Sequence, residues 1–368
     1  MSNNISTKKL ATILGIVFIV SGLIFGVLFF MDYGLSGFNP EALEFYENNV
    51  DMQKNADLHE IDTIRIETAS TDITLISVDS NELNAHFYGG YSSSNKSFKP
   101  ELVIAKDGDK LLVKIEDTIN GMMLSFTSNL KLDVYVPSQF AESAEVTSAS
   151  GDVALGELSV KELSVKTSSG DIKTESIDAV KSLFNTSSGE IDFNGRFTDL
   201  SVISTSGDIF SDTVEAAASR FESSSGDIRF SGKFSEVNAK STSGDIVSDS
   251  LVAETSNFGS NSGEIALSGA FANMTVKTTS GDITLSSSEN PQMFQISTSS
   301  GGTRLKLTDP AGFKLSCKSS SGEVKSDFPV TVIRTDDIDE HELNGTVGDG
   351  SGSITITSSS GDIRILKQ

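Results

Sequence analysis

Tryptophan is absent from this chain of 368 residues, tyrosine occurs five times, histidine three times and cysteine once. Each shortage removes a class of chemistry. Without tryptophan and with little tyrosine, a sugar site built on aromatic stacking lacks its material, and polar or protein contacts are favoured. The lone Cys317 has no partner for an internal disulfide. His59, His86 and His341 lie far apart and outside the regular repeats, so neither a Ser-His-Asp arrangement nor a histidine metal site has a source. Basic residues are also short, 28 Lys and Arg against 51 Asp and Glu, and the formal charge of −23 repels phosphate backbones and anionic headgroups. Nucleic acid is excluded as a partner.

What the chain has is repetition. A Ser/Thr-rich tripeptide leads into a Gly-Asp-Ile-like step, as in Thr167-Ser168-Ser169-Gly170-Asp171-Ile172, twelve times. The glycines are Gly151, Gly170, Gly189, Gly207, Gly226, Gly244, Gly263, Gly281, Gly301, Gly322 and, after 39 residues, Gly361, with Thr71 in a degenerate upstream copy. Most neighbours stand 18 to 21 residues apart, a period that means stacked coils rather than a globule. Because such a stack grows without one large core, the length does not imply two or three domains.

Counted from its glycine, each unit has fixed columns. Two residues on come Val153, Ile172, Ile191, Ile209, Ile228, Ile246, Ile265 and Ile283, and five residues before come Val146, Val165, Phe184, Val202 and, further along, Cys317. Cys317 is therefore read as a small core residue and not as a reactive thiol. Apolar and polar positions alternate on both sides of the glycine, so two short strands with one buried face flank a bend. Glycine is expected at the bend for its access to positive φ. Seven residues before the glycine, large and small residues alternate (Leu163, Ser182, Leu200, Ser219, Val237, Ser256), and four after it the phase reverses (Thr174, Phe193, Ser211, Phe230). This is a two-unit superperiod of about 37 residues that suits interdigitated core layers. Whether one solenoid turn holds one unit or two stays open.

From Ala11 to Met31 the chain carries 21 residues without a charge, enough to span ~30 Å of hydrocarbon as a helix. Lys8 and Lys9 precede it and Asp32, Glu41, Glu44 and Glu47 follow, so the positive-inside bias places the N-terminus in the cytoplasm and the remainder outside. A cleaved signal peptide has a shorter apolar core and a small-x-small site, which FFMDYGLSG lacks. The expected layout is a cytoplasmic tail over 1–9, a transmembrane helix over 10–31, and a tether with a short helix over 32–60. An irregular β region over 61–140 then caps regular repeats over 141–368. The irregular N-terminal strands and the basic tail Arg364-Ile365-Leu366-Lys367-Gln368 are expected to close the two ends.

The anchor, the strand Leu132-Asp133-Val134-Tyr135-Val136-Pro137 and the Ser-Gly-Asp-Ile coils resemble the bacterial putative-adhesin family of extracytoplasmic β-solenoids, with its LiaG-like membrane-anchored cell-envelope proteins. The resemblance spans about residues 60–368 and brings no catalytic residues. It implies an all-β, right-handed β-solenoid, or β-helix, of ~18–20-residue repeats on the outer side of the cell membrane.

One column carries candidate chemistry. The residue after the glycine is Asp152, Asp171, Glu190, Asp208, Asp227, Asp245, Glu264 and Asp282, then Gly302, Glu323 and Asp362. Like charges ~5 Å apart repel by roughly 1 kcal/mol per pair even in water, so something must offset them. Either each carboxylate accepts amide protons of its own turn, or the row binds divalent cations such as calcium through oxygen ligands. The glycine-rich nonapeptide of calcium-binding β-rolls is absent, which favours the turn role. Ser/Thr columns before the glycine form hydroxyl ladders along the same edge. Breaks in the repeat at Asn290-Pro291, Gly302-Thr303-Arg304 and 335–345 carry no convergent acid and base. The expected function is a non-catalytic adhesin or scaffold contacting cell-wall polymers or envelope proteins. A regulatory partner in envelope-stress sensing is the alternative, and a carbohydrate-active β-helix enzyme a weaker one.

Overall fold

The computed structural model describes residues 45–118, 126–308, 312–332 and 340–368. The apolar stretch over 10–31 lies outside them; among the described residues no helix is long and apolar enough to cross a membrane. Regular structure in those residues is all β, 26 strands in one continuous sheet that winds as a solenoid.

Each repeat unit closes one turn. Val165 pairs with Val146 on one side and Phe184 on the other, and Ile172 pairs with Val153 and Ile191, all parallel and 19 residues apart. Within a coil, pairs of exposed residues such as Lys161-Glu162, Ser168-Ser169 and Glu175-Ser176 mark corners between short segments whose alternate side chains face inward. The inward columns merge into a continuous core that includes Val165, Ile172, Phe184 and Ile191, none more than 1% exposed. The twelve repeat units, stacked at ~4.8 Å, span roughly 55 Å.

The repeat glycine is required by contact rather than by φ. Positive φ occurs at none of the repeat glycines. A Cβ on Gly170 would stand 2.1 Å from the Gly151 carbonyl oxygen, and one on Gly226 would stand 2.2 Å from that of Gly207. The expected left-handed bend is thus replaced by backbone-on-backbone stacking.

Positive φ belongs instead to Gly195, Gly232 and Gly269, at 149°, 151° and 156° and 37 residues apart. They end the shorter side of a bulge: Ser211 faces Phe230 and Val214 faces Gly232, so one coil holds a residue more than the next. Coil lengths accordingly alternate between 19 and 18 residues from Gly170 to Gly281. Phe193 and Phe230 of the column four after the glycine interleave with Phe184, Phe221 and Phe258 of the column five before it in an aromatic spine, with successive centroids 4.7 to 6.4 Å apart. The matching small residues, Ser182, Ser211, Ser219 and Ser248, are buried in the gaps.

Stacking order departs from chain order at both ends. Strands Thr63–Thr68 and Asp72–Val78 form a regular layer under the Gly151 coil, where the degenerate copy at Thr71 places the start of the solenoid. Beyond them Lys110–Thr118 and Phe126–Pro137 add a further parallel layer. Antiparallel strands Lys99–Asp107, Glu82–Ser93 and Tyr46–Asp57 finish that end. Tyr46–Asp57 falls where a short helix was expected; pairing along all of Glu82–Ser93 overrides its helix-forming residues.

At the other end the coil around Gly361 slips between those of Gly301 and Gly322. The basic tail strand Ile363–Lys367 is therefore interior to the stack and does not close it. Strand Glu342–Gly348, antiparallel on Gly312–Ser319, closes that edge and accounts for part of the long interval.

Candidate functional site

The edge beside the glycines is built from three rows with separate tasks. Three residues before the glycine a buried Ser or Thr accepts a bond from the glycine N–H within the same turn in every glycine unit but that of Gly207, whose Ser204 has none, as in Gly170 N to Thr167 Oγ1 at 3.0 Å and Gly226 N to Ser223 Oγ at 2.9 Å. This hydroxyl row points inward and serves the turn, so it does not belong to the expected outer ladder. The outer ladder is the pair of positions after it, and the residue just before the glycine is an exposed serine in every glycine unit from Ser150 to Ser360.

The acidic row is held by the coil next door. Asp152 Oδ1 accepts from the Asp171 N–H at 2.9 Å, Asp171 from Glu190 at 2.8 Å, Asp208 from Asp227 at 2.8 Å, Asp227 from Asp245 at 2.8 Å and Asp245 from Glu264 at 2.7 Å. Asp282 receives the Gly302 N–H at 2.7 Å. Glu190 and Glu264 donate into the ladder but pass no bond on, because the longer side chain overshoots the next amide. The turn role expected for the carboxylates is right in kind and wrong in partner: the amide belongs to the neighbouring coil. These bonds offset the repulsion within the row, each worth about 0.5–1.5 kcal/mol net. Among the described residues no three His, Cys, Asp or Glu side chains converge as a metal site requires.

The histidines have local partners. His86 Nε2 lies 2.8 Å from Asp51 Oδ1 and its ring stacks on Tyr88 at 4.6 Å. His341 Nδ1 lies 2.8 Å from the Gly322 carbonyl oxygen. Cys317 is fully buried, and burial pushes its thiol up to about 12, which removes it from nucleophilic chemistry.

The surface opens in the middle of the rod. Glu222, Lys240, Gly259 and Lys277 are cross-strand neighbours on successive coils, and the missing side chain at Gly259 leaves a gap between the two lysines. The gap is the floor of a groove of about 780 Å³ crossing five coils, walled by Asn238, Asn257, Thr275, Thr242, Asn261 and Thr279. Amides, hydroxyls and two ammonium groups give it donors for a hydroxyl- or carboxylate-bearing chain, and Glu222 is the one carboxylate among its lining residues. The sequence reading did not single out this groove; its signal is Gly259 alone in a column of polar side chains.

The Toastrack DUF4097 family matches residues 61–236 and 233–366. No curated protein matches the chain. Among solved structures, a putative adhesin from Parabacteroides distasonis is 12% identical over 72% of this chain and 93% of its own, with a TM-score of 0.37. A putative adhesin from Parabacteroides merdae is 11% identical over 72% and 92%, with a TM-score of 0.36. One from Bacteroides fragilis is 11% identical over 86% and 97%, with a TM-score of 0.33.

Proposed function

The chain belongs to the Toastrack DUF4097 family, and from that premise we propose that it is a non-catalytic binding module of the cell envelope. Its ligand is a polar polymer of the wall or a partner protein, received along the groove over Gly259. The single observation that carries this reading is the groove itself: five coils lined mainly by amides and hydroxyls, with Lys240, Lys277 and Glu222 as its charged groups. The uncharged stretch over 11–31 supplies the anchor, with the N-terminus cytoplasmic and the rod outside. The free outer oxygens of the acidic row leave room for calcium to bridge the rod and an anionic ligand.

The test is co-sedimentation of the full chain, in neutral detergent, with purified sacculi, in calcium or chelator. Saturable binding that weakens in Gly259→Leu and in Lys240→Ala with Lys277→Ala supports the groove as the site. Calcium dependence adds the acidic row to it. Absence of binding in both buffers refutes the wall as ligand.

A further inference from the structure

The last coils of the stack hold a second hollow, and it is cationic. Arg304 pairs in register with Arg364, and Arg364 with Lys325. Three cations thus stand on three neighbouring strands, with Lys306 two residues from Arg304 on the same exposed face. Elsewhere in that column basic residues stand singly, at Lys173 and Arg229. In chain order the column runs Arg304, Lys325, Arg364, and the insertion of the Gly361 coil reorders it so that the two guanidinium groups stand side by side.

Like charges directly opposite one another destabilise a sheet, and the compensation here is incomplete. Arg364 Nη2 lies 3.6 Å from Asp362 Oδ2 and Lys325 Nζ 2.6 Å from Glu323 Oε1, each with the acid two residues earlier in its own strand. At Arg304 that place is taken by Gly302, the one gap in the acidic row, and among the described residues Arg304 has no ion pair. Over Gly302 opens a hollow of about 320 Å³ lined by Gly302, Thr303, Arg304, Ser360, Asp362 and Arg364. The backbone does not demand glycine there: a Cβ would make ordinary contacts, 3.7 Å from Asp282 Oδ1 and 3.7 Å from the Asp362 carbonyl oxygen.

We propose that this hollow binds a phosphate ester between the guanidinium groups of Arg304 and Arg364, with Lys306 and Lys325 at its margins. Two planar forks side by side suit a phosphodiester, which each can engage with two parallel N–H donors. The net charge of −23 does not forbid it. Exposed charges beyond ~8 Å are screened at physiological salt, so the local row decides what meets this end of the rod. The patch lies at the end opposite strand Tyr46–Asp57, which follows the expected anchor. The proposal deepens the envelope-binding reading, on which it rests for the source of the phosphate.

The experiment uses the full chain in phosphatidylcholine nanodiscs and a fluorescent poly(glycerol phosphate), with neutral dextran as control. Gly302→Asp restores the missing acid, and Gly302→Ala fills the same space without charge. The expected result is salt-sensitive polymer binding that is kept in Gly302→Ala and weakened at least tenfold in Gly302→Asp and Arg304→Gln, with circular dichroism unchanged. Displacement by phosphatidylglycerol vesicles at lower phosphate concentration than by inorganic phosphate makes a lipid headgroup the source; the reverse order makes it a soluble ester. Equal binding by all four proteins, or none by the wild type, overturns the site. A chain that still sediments with sacculi but ignores the phosphodiester polymer keeps the envelope reading and loses this one.

Discussion

Replacing Gly226 by alanine separates the two reasons a glycine can be needed. If φ were the constraint, alanine would cost about 1 kcal/mol or less at this position, since its φ is negative. The stacking geometry demands more. The new Cβ would stand 2.2 Å from the Gly207 carbonyl oxygen, and that oxygen must retreat by roughly 1 Å to reach even a tight contact. The retreat stretches the bonds that join the same two coils: Asp227 N to Asp208 Oδ1 at 2.8 Å, Ser225 N to Thr205 O at 3.1 Å and Ser224 N to Thr205 O at 3.2 Å. All three pass beyond hydrogen-bond range. At about 1 kcal/mol each, the loss is about 3 kcal/mol.

The control is Gly259→Ala, where the nearest atoms to a Cβ are Lys240 Cγ and the Lys277 carbonyl oxygen, both at 3.8 Å. Urea unfolding of the full chain should lower the midpoint for Gly226→Ala and leave Gly259→Ala within about 0.5 kcal/mol of wild type. Because each coil touches only its neighbours, hydrogen exchange should rise first in the coils on either side of residue 226. A Gly226→Ala protein as stable as Gly259→Ala would refute the stacking account.

Other consequences can be checked on the same protein. Phe230→Ala removes a fully buried ring 4.7 Å from Phe221 and 5.7 Å from Phe234, and should cost about 3–5 kcal/mol by urea unfolding. Ser248→Ala deletes a buried hydroxyl that has no hydrogen-bond partner, and should leave stability unchanged or raise it by up to about 1 kcal/mol in the same assay. Cys317 should resist a disulfide reagent at pH 8 until the chain is unfolded. Its folded-state thiol is raised from 9.0 to about 12, so its contribution to stability is complete below pH 9.0 and lost as pH climbs toward 12, a trend that Cys317→Ala should flatten. Amides of Ile363–Lys367, between two strands, should exchange more slowly than those of Val324–Ser326 on the outermost coil.

The coils were legible in the sequence because their contacts are local. A column in a strict period maps onto a column in space, so Ile172 and Ile191 announce their pairing by spacing alone. The alternation of Phe193 with Ser211 likewise anticipated the packed spine. The role of the glycine was misread because the same residue type serves both a positive φ and a close approach, and only the position of the Gly151 carbonyl oxygen under Gly170 distinguishes them. Tyr46–Asp57 hid its strand nature: its half-buried residues Val50, Met52 and Ala56 are sparse among Glu, Asn, Lys and Gln, which are no worse in a helix.

The ends were illegible for a different reason, and the same reason gives them a function. A solenoid extended only by sequential coils leaves its last coil held on one side, free to fray and open to edge pairing. Here Asp152 bonds to Asp72 across 80 residues of sequence, and Glu323 bonds to Asp362 backwards across 39. Each crossing traps a coil between two others, so the outermost layer cannot peel away in chain order without first disturbing the layer beneath. The loop-closure cost of these excursions grows only slowly with length, whereas the contacts they secure are whole strand pairings. The same crossing that protects the distal edge also brings Arg364 beside Arg304, so the paired guanidinium groups exist only in the completed fold. A chain misassembled at that end would lose its edge protection and its phosphate site together.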